Sequence, residues 1–249
     1  MYFHEPIYDL DILSKHNLHI HTNFSKCAKE KMTVSEIIKT AETAGLEMIA
    51  LTDHFNDDIS DSECIERNIF LRAEAAKTAA GIRVLFGNEL SAYAPGKTLE
   101  SQSVRDIVDY RLYSCNHYHL DFWGQPEDKS ARGYAEYSIA IISSLIKSDF
   151  ADCIAHPFIG RFIKHIEDRT LVTKAMTDSE LGDLLMLGNA HYTAWELNTG
   201  AILGDPEFGR RLWNLGRETG AVFNYGTDSH RFSFIDTSTS LPEIKKVLN

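Results

Sequence analysis

With 249 residues, the chain is long enough for one large domain or two small ones, and its 43% hydrophobic and 24% charged residues are ordinary for a soluble globular protein. The formal net charge of −11 argues against a nucleic-acid-binding patch, and no apolar run approaches the ~18 residues of a membrane span. The four cysteines, Cys27, Cys64, Cys115 and Cys153, form no C-x-x-C pair, and the N-terminus has no basic segment leading into an apolar one; the expectation is a cytoplasmic protein with reduced thiols.

Residues 1–15 read as an irregular lead-in, followed by a strand over about 16–21 and a polar loop from Asn23 to Lys31. Thr33-Val34-Ser35-Glu36 fits a capping box, Ile37, Ile38, Ala41 and Ala44 keep a helical stripe, and Gly45 stops it. Strand two, 48–51, runs into Thr52-Asp53-His54; a helix over about 62–80 ends at Gly81, and strand three, 82–86, runs into Gly87-Asn88-Glu89. A longer loop over 91–103 contains Pro95 and Gly96, and strand four, 110–116, ends in Asn116-His117-Tyr118-His119. A helix over 133–147 leads to strand five, 152–155, closing on His156-Pro157, after which residues 158–176 are irregular or short-helical. A helix over 178–189, strand six over 193–197 with Asn198 after it, a helix over 206–219 and strand seven over 221–225 follow; Gly226-Thr227-Asp228-Ser229-His230 and a helix over 241–248 finish the chain.

Strands alternating with helices, without a linker between units, predict a parallel sheet with crossover helices in a single domain over 1–249. No glycine-rich phosphate loop follows strand one, so a closed barrel explains the pattern better than an open doubly wound sheet. In such barrels active sites gather at the C-terminal ends of the strands. His19, His21, His54, Glu89, His117, His156, Asp228 and His230 all lie at or just beyond predicted strand ends. Strand alternation puts His19 and His21 on one face, where one ion can take both imidazoles, and turns Leu18 and Ile20 the other way into packing. Asp53 is expected to support the strand end or a neighbouring histidine.

The ordered set His19-Ile20-His21-Thr22, Thr52-Asp53-His54, Glu89, His117, His156-Pro157 and Gly226-Thr227-Asp228-Ser229-His230 resembles the PHP family, whose name joins polymerase-associated domains and histidinol phosphatases, over about residues 16–235. The resemblance implies an α/β fold, a distorted (β/α)7 TIM-like barrel, that holds two or three divalent metal ions. It places His19, His21, Glu89 and Asp228 on one metal, with Glu89 bridging to a second that also takes His117 and His156. A third would use His54, His230 and a residue of the loop after strand one. There the family often has His or Asp and this chain has Cys27, a thiol suited to zinc or iron and poor for magnesium.

The implied activity is hydrolysis of a small phosphomonoester, histidinol phosphate or a nucleotide, by metal-bound hydroxide, with zinc, manganese or iron as cofactor and Glu89, His54, Asp228 and His230 in the catalytic machinery. Arg161 is a candidate phosphate clamp or an exposed loop arginine, and His119 a candidate substrate contact or a surface histidine. Tyr93, Tyr118, Phe122, Trp123, Phe158 and Phe162 are candidates for lining a pocket or for loop packing; His4, His16, His165 and His191 read as ordinary. The partner expected is a small phosphorylated molecule, with no nucleic acid and no membrane, and the oligomeric state stays open. Alternatives are an amidohydrolase-like hydrolase of a non-phosphate substrate, for which no strand offers a candidate lysine beside the histidines, and a catalytically silent metal-binding scaffold.

Overall fold

The computed structural model describes residues 2–78 and 81–249. A one-turn helix, α1 (Leu10–Leu13), precedes β1 (His16–Ile20); the chain then crosses through α2 (Val34–Thr43) to β2 (Met48–Phe55) and through α3 (Asp61–Ala75) to β3 (Arg83–Ala94). A short β4 (Lys97–Thr98) folds back on β3, and α4 (Gln102–Ile107) precedes β5 (Tyr110–Ser114). The second half runs α5 (Ala131–Lys147), β6 (Cys153–Ile154), α6 (Leu171–Lys174), α7 (Asp178–Ala190), β7 (Ala194–Asn198), α8 (Thr199–Gly204), α9 (Pro206–Thr219), β8 (Phe223–Gly226) and α10 (Leu241–Leu248). Among the described residues, no helix is long and apolar enough to cross a membrane.

Seven strands pair in parallel in chain order, β1-β2-β3-β5-β6-β7-β8. The ring closes through a single bridge between Ile20 and Ser229, with the Ser229 amide donating to His19 O at 3.0 Å and the His21 amide to Ser229 O at 2.9 Å. Fully buried Asn17 reinforces this seam: its Nδ2 donates to Thr227 Oγ1 at 2.7 Å and Ile235 O at 3.1 Å, and its Oδ1 accepts from the Thr227 amide at 3.2 Å. The expected seven-stranded TIM-like barrel is therefore present. It is distorted because its seam is one bridge long and β6 contributes only two residues.

The two-residue period of the strands sorts the barrel interior into layers. Met48 and Ala50 on β2, Leu85 on β3, Leu112 on β5 and Ala194 on β7 join one buried apolar cluster that fills the lower barrel. Continuing each strand by the same alternation brings up His54, Glu89, Ser114 and Glu196, so the upper layer is polar. The pairing of β1 with β2 slips between Asn17 and Ile20, and this irregularity corrects one expectation. Leu18 and Ile20 do not share an environment: Leu18 joins the barrel lining, whereas Ile20 packs in the outer layer with Ile37 and Ile38 of α2.

Other differences have local causes. Strands β2 and β3 continue past their apolar runs because their polar ends pair through His54–Glu89 and Phe55–Leu90, and the start of the expected 91–103 loop is strand because Ser91 pairs with Ser114 of β5 and Ala92 and Ala94 pair with β4. The helix expected over 62–80 ends at Ala75, and its last two predicted positions, 79 and 80, lie outside the described residues. Thr33 caps α2 without a backbone hydrogen bond, because its hydroxyl goes to the Glu36 carboxylate directly; a complete capping box forms instead at Thr177 and Glu180 of α7. Helices α1 and α8 were not expected, being only 4 and 6 residues long, too short to show a period.

Helix α9 lies close against β8. It starts at Asp205, whose side chain accepts from the Phe208 amide, has Pro206 in its first turn, and stops at Gly220, where φ is +76°. Gly216 faces the Phe223 ring so closely that a methyl group there would overlap it. Helix propensity alone favours alanine over glycine by up to ~1 kcal/mol. Gly216→Ala is nevertheless expected to destabilise the protein by about 2 kcal/mol, as overpacked cores do, measured by urea denaturation; a neutral result would show that Phe223 can move aside.

Candidate metal centre at the barrel mouth

The expected site residues arrive at one place by four routes. His54 and Glu89 are direct register partners on adjacent parallel strands. His19 and His21 come from the end of β1, at the seam. His117 lies three positions past β5, beyond the reach of strand alternation, so its relation to His119 is set by the loop and not by a shared strand face. His156, Asp228 and His230 follow the short strands β6 and β8. His156 and Asp228 both adopt left-handed backbone, with φ of 27° and 52°, a strained conformation for residues with a side chain.

Glu89, 1% exposed, is the centre of the group. Its Oε1 lies 3.0 Å from His156 Nε2 and 3.5 Å from His117 Nε2; its Oε2 lies 2.7 Å from His54 Nδ1, 3.5 Å from His19 Nε2 and 3.7 Å from His21 Nε2. Asp228 Oδ1 stands 3.0 Å from His21 Nε2 and 3.5 Å from His19 Nε2. Ligand atoms of His19, His21 and Asp228, of His54, Glu89 and His117, and of His21, His54 and His230 each lie within 4.8 Å of one another. Cys27 Sγ is 2.8 Å from His230 Nε2. Of these groups only the second contains Glu89, with His54 beside His117, whereas the resemblance implies His117 and His156 there and places His54 with His230 and Cys27.

The hydrogen-bond pattern shows what these atoms lack. His19 Nδ1 donates to Glu196 Oε1 at 2.8 Å, which leaves its Nε2 as the nitrogen turned toward the cluster. His21 Nδ1 donates to Ser25 Oγ at 3.0 Å, since the Ser25 hydroxyl is itself spent on Asp53 Oδ1 at 2.6 Å. The Nε2 atoms of His19 and His21 face each other at 3.2 Å and converge with the Asp228 carboxylate on a position that a proton or a cation can fill. His54 Nδ1 and Glu89 Oε2 are buried and close, yet neither has a hydrogen-bond partner. Imidazole nitrogens and carboxylate oxygens that converge on one space suit a cation, and the set fits zinc, manganese or iron.

Electrostatics agree. Burial opposes charge on Glu89, but His54, His117 and His19 outweigh it and hold the carboxyl well below its usual range. Burial also opposes protonation of His19, and Glu196, Asp228 and Glu89 reverse this, raising its pKa well above the usual imidazole value. His21, buried beside His54, is pushed down to about 3. At Cys27 burial raises the thiol, while hydrogen bonds with His230 and His54 bring it down to about 7, so thiolate is accessible near neutrality.

Two supports hold this arrangement. Asp53, 3% exposed, accepts from the Thr22 amide at 2.7 Å, Thr22 Oγ1 at 2.6 Å and Ser25 Oγ, fixing both the loop that leads to Cys27 and the His21 tautomer. Glu196 was missed as a functional candidate. Its Oε1 orients His19, and its Oε2 accepts from the His156 amide at 2.6 Å, pinning the strained turn. The signal was present in a lone carboxylate within the apolar run of strand six. Gly226 makes room for it, because any Cβ there would strike Glu196 Oε1.

A cavity of about 220 Å³ opens above the cluster, lined by Cys27, His54, His117, Arg161, Asp228 and His230, and also by His119 and Phe162, whose rings stack 4.6 Å apart. Of the aromatic candidates only Phe162 lines this cavity. Tyr118 is buried with its hydroxyl on Ser138 at 2.6 Å, Phe158 packs on Trp195 and Phe208, Tyr93 pairs with Phe122, and Trp123 is buried behind His117.

The profile of the PHP domain family matches residues 17–182. Among solved structures, a provisional histidinol phosphatase of Listeria monocytogenes aligns with a TM-score of 0.61 at 15% identity, covering 88% of this chain and 97% of its own. A D-psicose 3-epimerase from Clostridium cellulolyticum H10 covers 94% and 99% at 13% identity, but its TM-score of 0.41 carries no argument. No curated protein matches the sequence.

Glu196→Gln is expected to lower metal affinity about 10- to 100-fold, as loss of a histidine-orienting carboxylate does, with circular dichroism unchanged. Competition against a chromophoric chelator measures it; unaltered affinity would show that His19 needs no orienting charge.

Proposed function

The chain belongs to the PHP family, and from that premise we propose that it is a metal-dependent phosphoesterase acting on a small phosphomonoester. The observation that carries this reading is the split engagement of Glu89, one oxygen facing His117 and His156, the other facing His54, His19 and His21. A single carboxylate in that position holds two ligand groups at a fixed separation. Divalent ions bound there supply an activated water and neutralise charge on a phosphoryl group.

The residues of the chain do the remaining work. His230 Nδ1 donates to Asp228 O at 2.8 Å, which directs its Nε2 toward Cys27 and the cavity. Arg161, at the cavity rim over the Phe162 ring, is placed to grip phosphate oxygens in its planar fork. His119 and Phe162 form one wall of the cavity and present flat surfaces to a leaving group. Among the described residues no lysine is buried, so none stands beside the histidines for an amidohydrolase-like centre.

Metal-loaded protein is expected to hydrolyse small phosphomonoesters, and Glu89→Gln to lose bound metal and at least about 100-fold in turnover. Full metal content and full turnover in Glu89→Gln would remove the bridging role. A screen of phosphomonoesters with elemental analysis reads both quantities.

Cys27 serves with His54 and His230 as a soft ligand group that favours zinc or iron. Cys27→Ser is expected to release about one ion per chain and to weaken phosphate binding, and Cys27→Asp to restore a harder site that accepts manganese. Equal ion counts and unchanged kinetics in Cys27→Ser would place the thiol outside the centre.

A further inference from the structure

The cavity above the cluster does not end at Arg161. The same residue lines a neighbouring cavity of about 180 Å³, floored by Gly200 and Ala201 and walled by Arg169, Thr170 and Asp205. The two arginine-bearing stretches are locked side by side, because Gly160 lies so close to the Arg169 carbonyl that no Cβ fits between them.

This second cavity carries two guanidinium groups and one carboxylate, Asp205, which is buried and not paired with either arginine. Among the described residues, Arg161 and Arg169 have no carboxylate within 4.0 Å, as is also true of Arg83, Arg210, Arg217 and Arg231, but Arg161 and Arg169 are the two that share a cavity beside the cluster. Asp205, the acidic residue of the lining, is 7% exposed and is turned to the protein: its Oδ1 accepts from the Phe208 amide at 3.1 Å and its Oδ2 from Thr173 Oγ1 at 2.5 Å. Two guanidinium groups without a carboxylate partner, lining one cavity next to the active site, mark a place for an outside anion.

We propose that the substrate carries, besides the phosphate that is cleaved, a second anionic group held between Arg161 and Arg169. This deepens the phosphoesterase reading and rests on it for which group is cleaved. Arg161, shared by the two cavities, spans the distance between the two anions, and Arg169 acts as the specificity-determining residue for the second. The chemistry required is a carboxylate or a phosphoryl group, either of which matches the guanidinium fork.

Non-hydrolysable phosphonates test this without turnover. Calorimetry on metal-loaded protein compares alkylphosphonates of three to six carbons with analogues ending in a carboxylate and in a second phosphonate. At the best length, at least one doubly anionic series is expected to bind about tenfold tighter or more than its alkyl counterpart, and the better series identifies the second group. Arg169→Gln should abolish most of that advantage and Arg169→Lys should restore part of it. Equal affinity at every length, or an advantage indifferent to Arg169→Gln, would overturn the proposal. A parallel phosphatase assay keeps the two readings apart: absent turnover would count against hydrolysis and leave the phosphonate affinities readable.

Discussion

A carboxylate buried at the centre of a ring of imidazoles governs this protein. Glu89 is 1% exposed and has five histidine nitrogens within 3.7 Å. In an apolar interior such a charge would be costly unless the imidazoles around it, or cations they hold, compensate it; Glu196 and Ser25 fix the Nδ1 side of His19 and His21 and turn their Nε2 atoms inward. The upper layer of the barrel is thus built to be completed by cations. The lower layer, apolar and filled by side chains from alternate strand positions, carries the burial that sustains the fold. Division of labour between layers lets the mouth be electrostatically frustrated without undoing the barrel.

That division depends on the seam. His19 and Asp228 are 209 positions apart, and they meet because the first strand bridges to the segment after the last. One bridge is a thin closure for a barrel, and Asn17 supplies the rest by bonding to Thr227 and Ile235 from inside β1. The residue that closes the ring is two positions from the first candidate ligand. Fold closure and site assembly are therefore one event, and a chain that failed to seal would also lack the centre.

The loop after β1 adds a further level of control. Asp53 ties Thr22 and Ser25 down, and the turn so formed delivers Cys27 to His230. The soft thiol thus lines the cavity, whereas the harder Glu89 carboxylate is buried among the histidines. Such a gradient would let ions of different character occupy the two ends of one cluster.

Much of this was legible in the residues themselves. The alternation of apolar runs and helical stripes determined a parallel barrel, because each strand-helix unit needs its neighbours to bury its two faces. The ligand types at strand ends determined where chemistry gathers, because in such barrels the C-terminal ends of all strands share one rim. Tertiary structure alone decided the rest. The slip in β1 separated Leu18 from Ile20, since pairing partners and not local alternation choose a strand's faces. Glu196 became an orienting group only when β7 came beside β1's histidine and β6's turn. Five aromatic candidates, Tyr93, Tyr118, Phe122, Trp123 and Phe158, became packing, since loop side chains are assigned by contacts that no periodicity encodes. The pairing of Arg161 with Arg169 across a cavity is of the same kind: eight positions apart in an irregular stretch, they share a wall only because Gly160 lets two backbones touch.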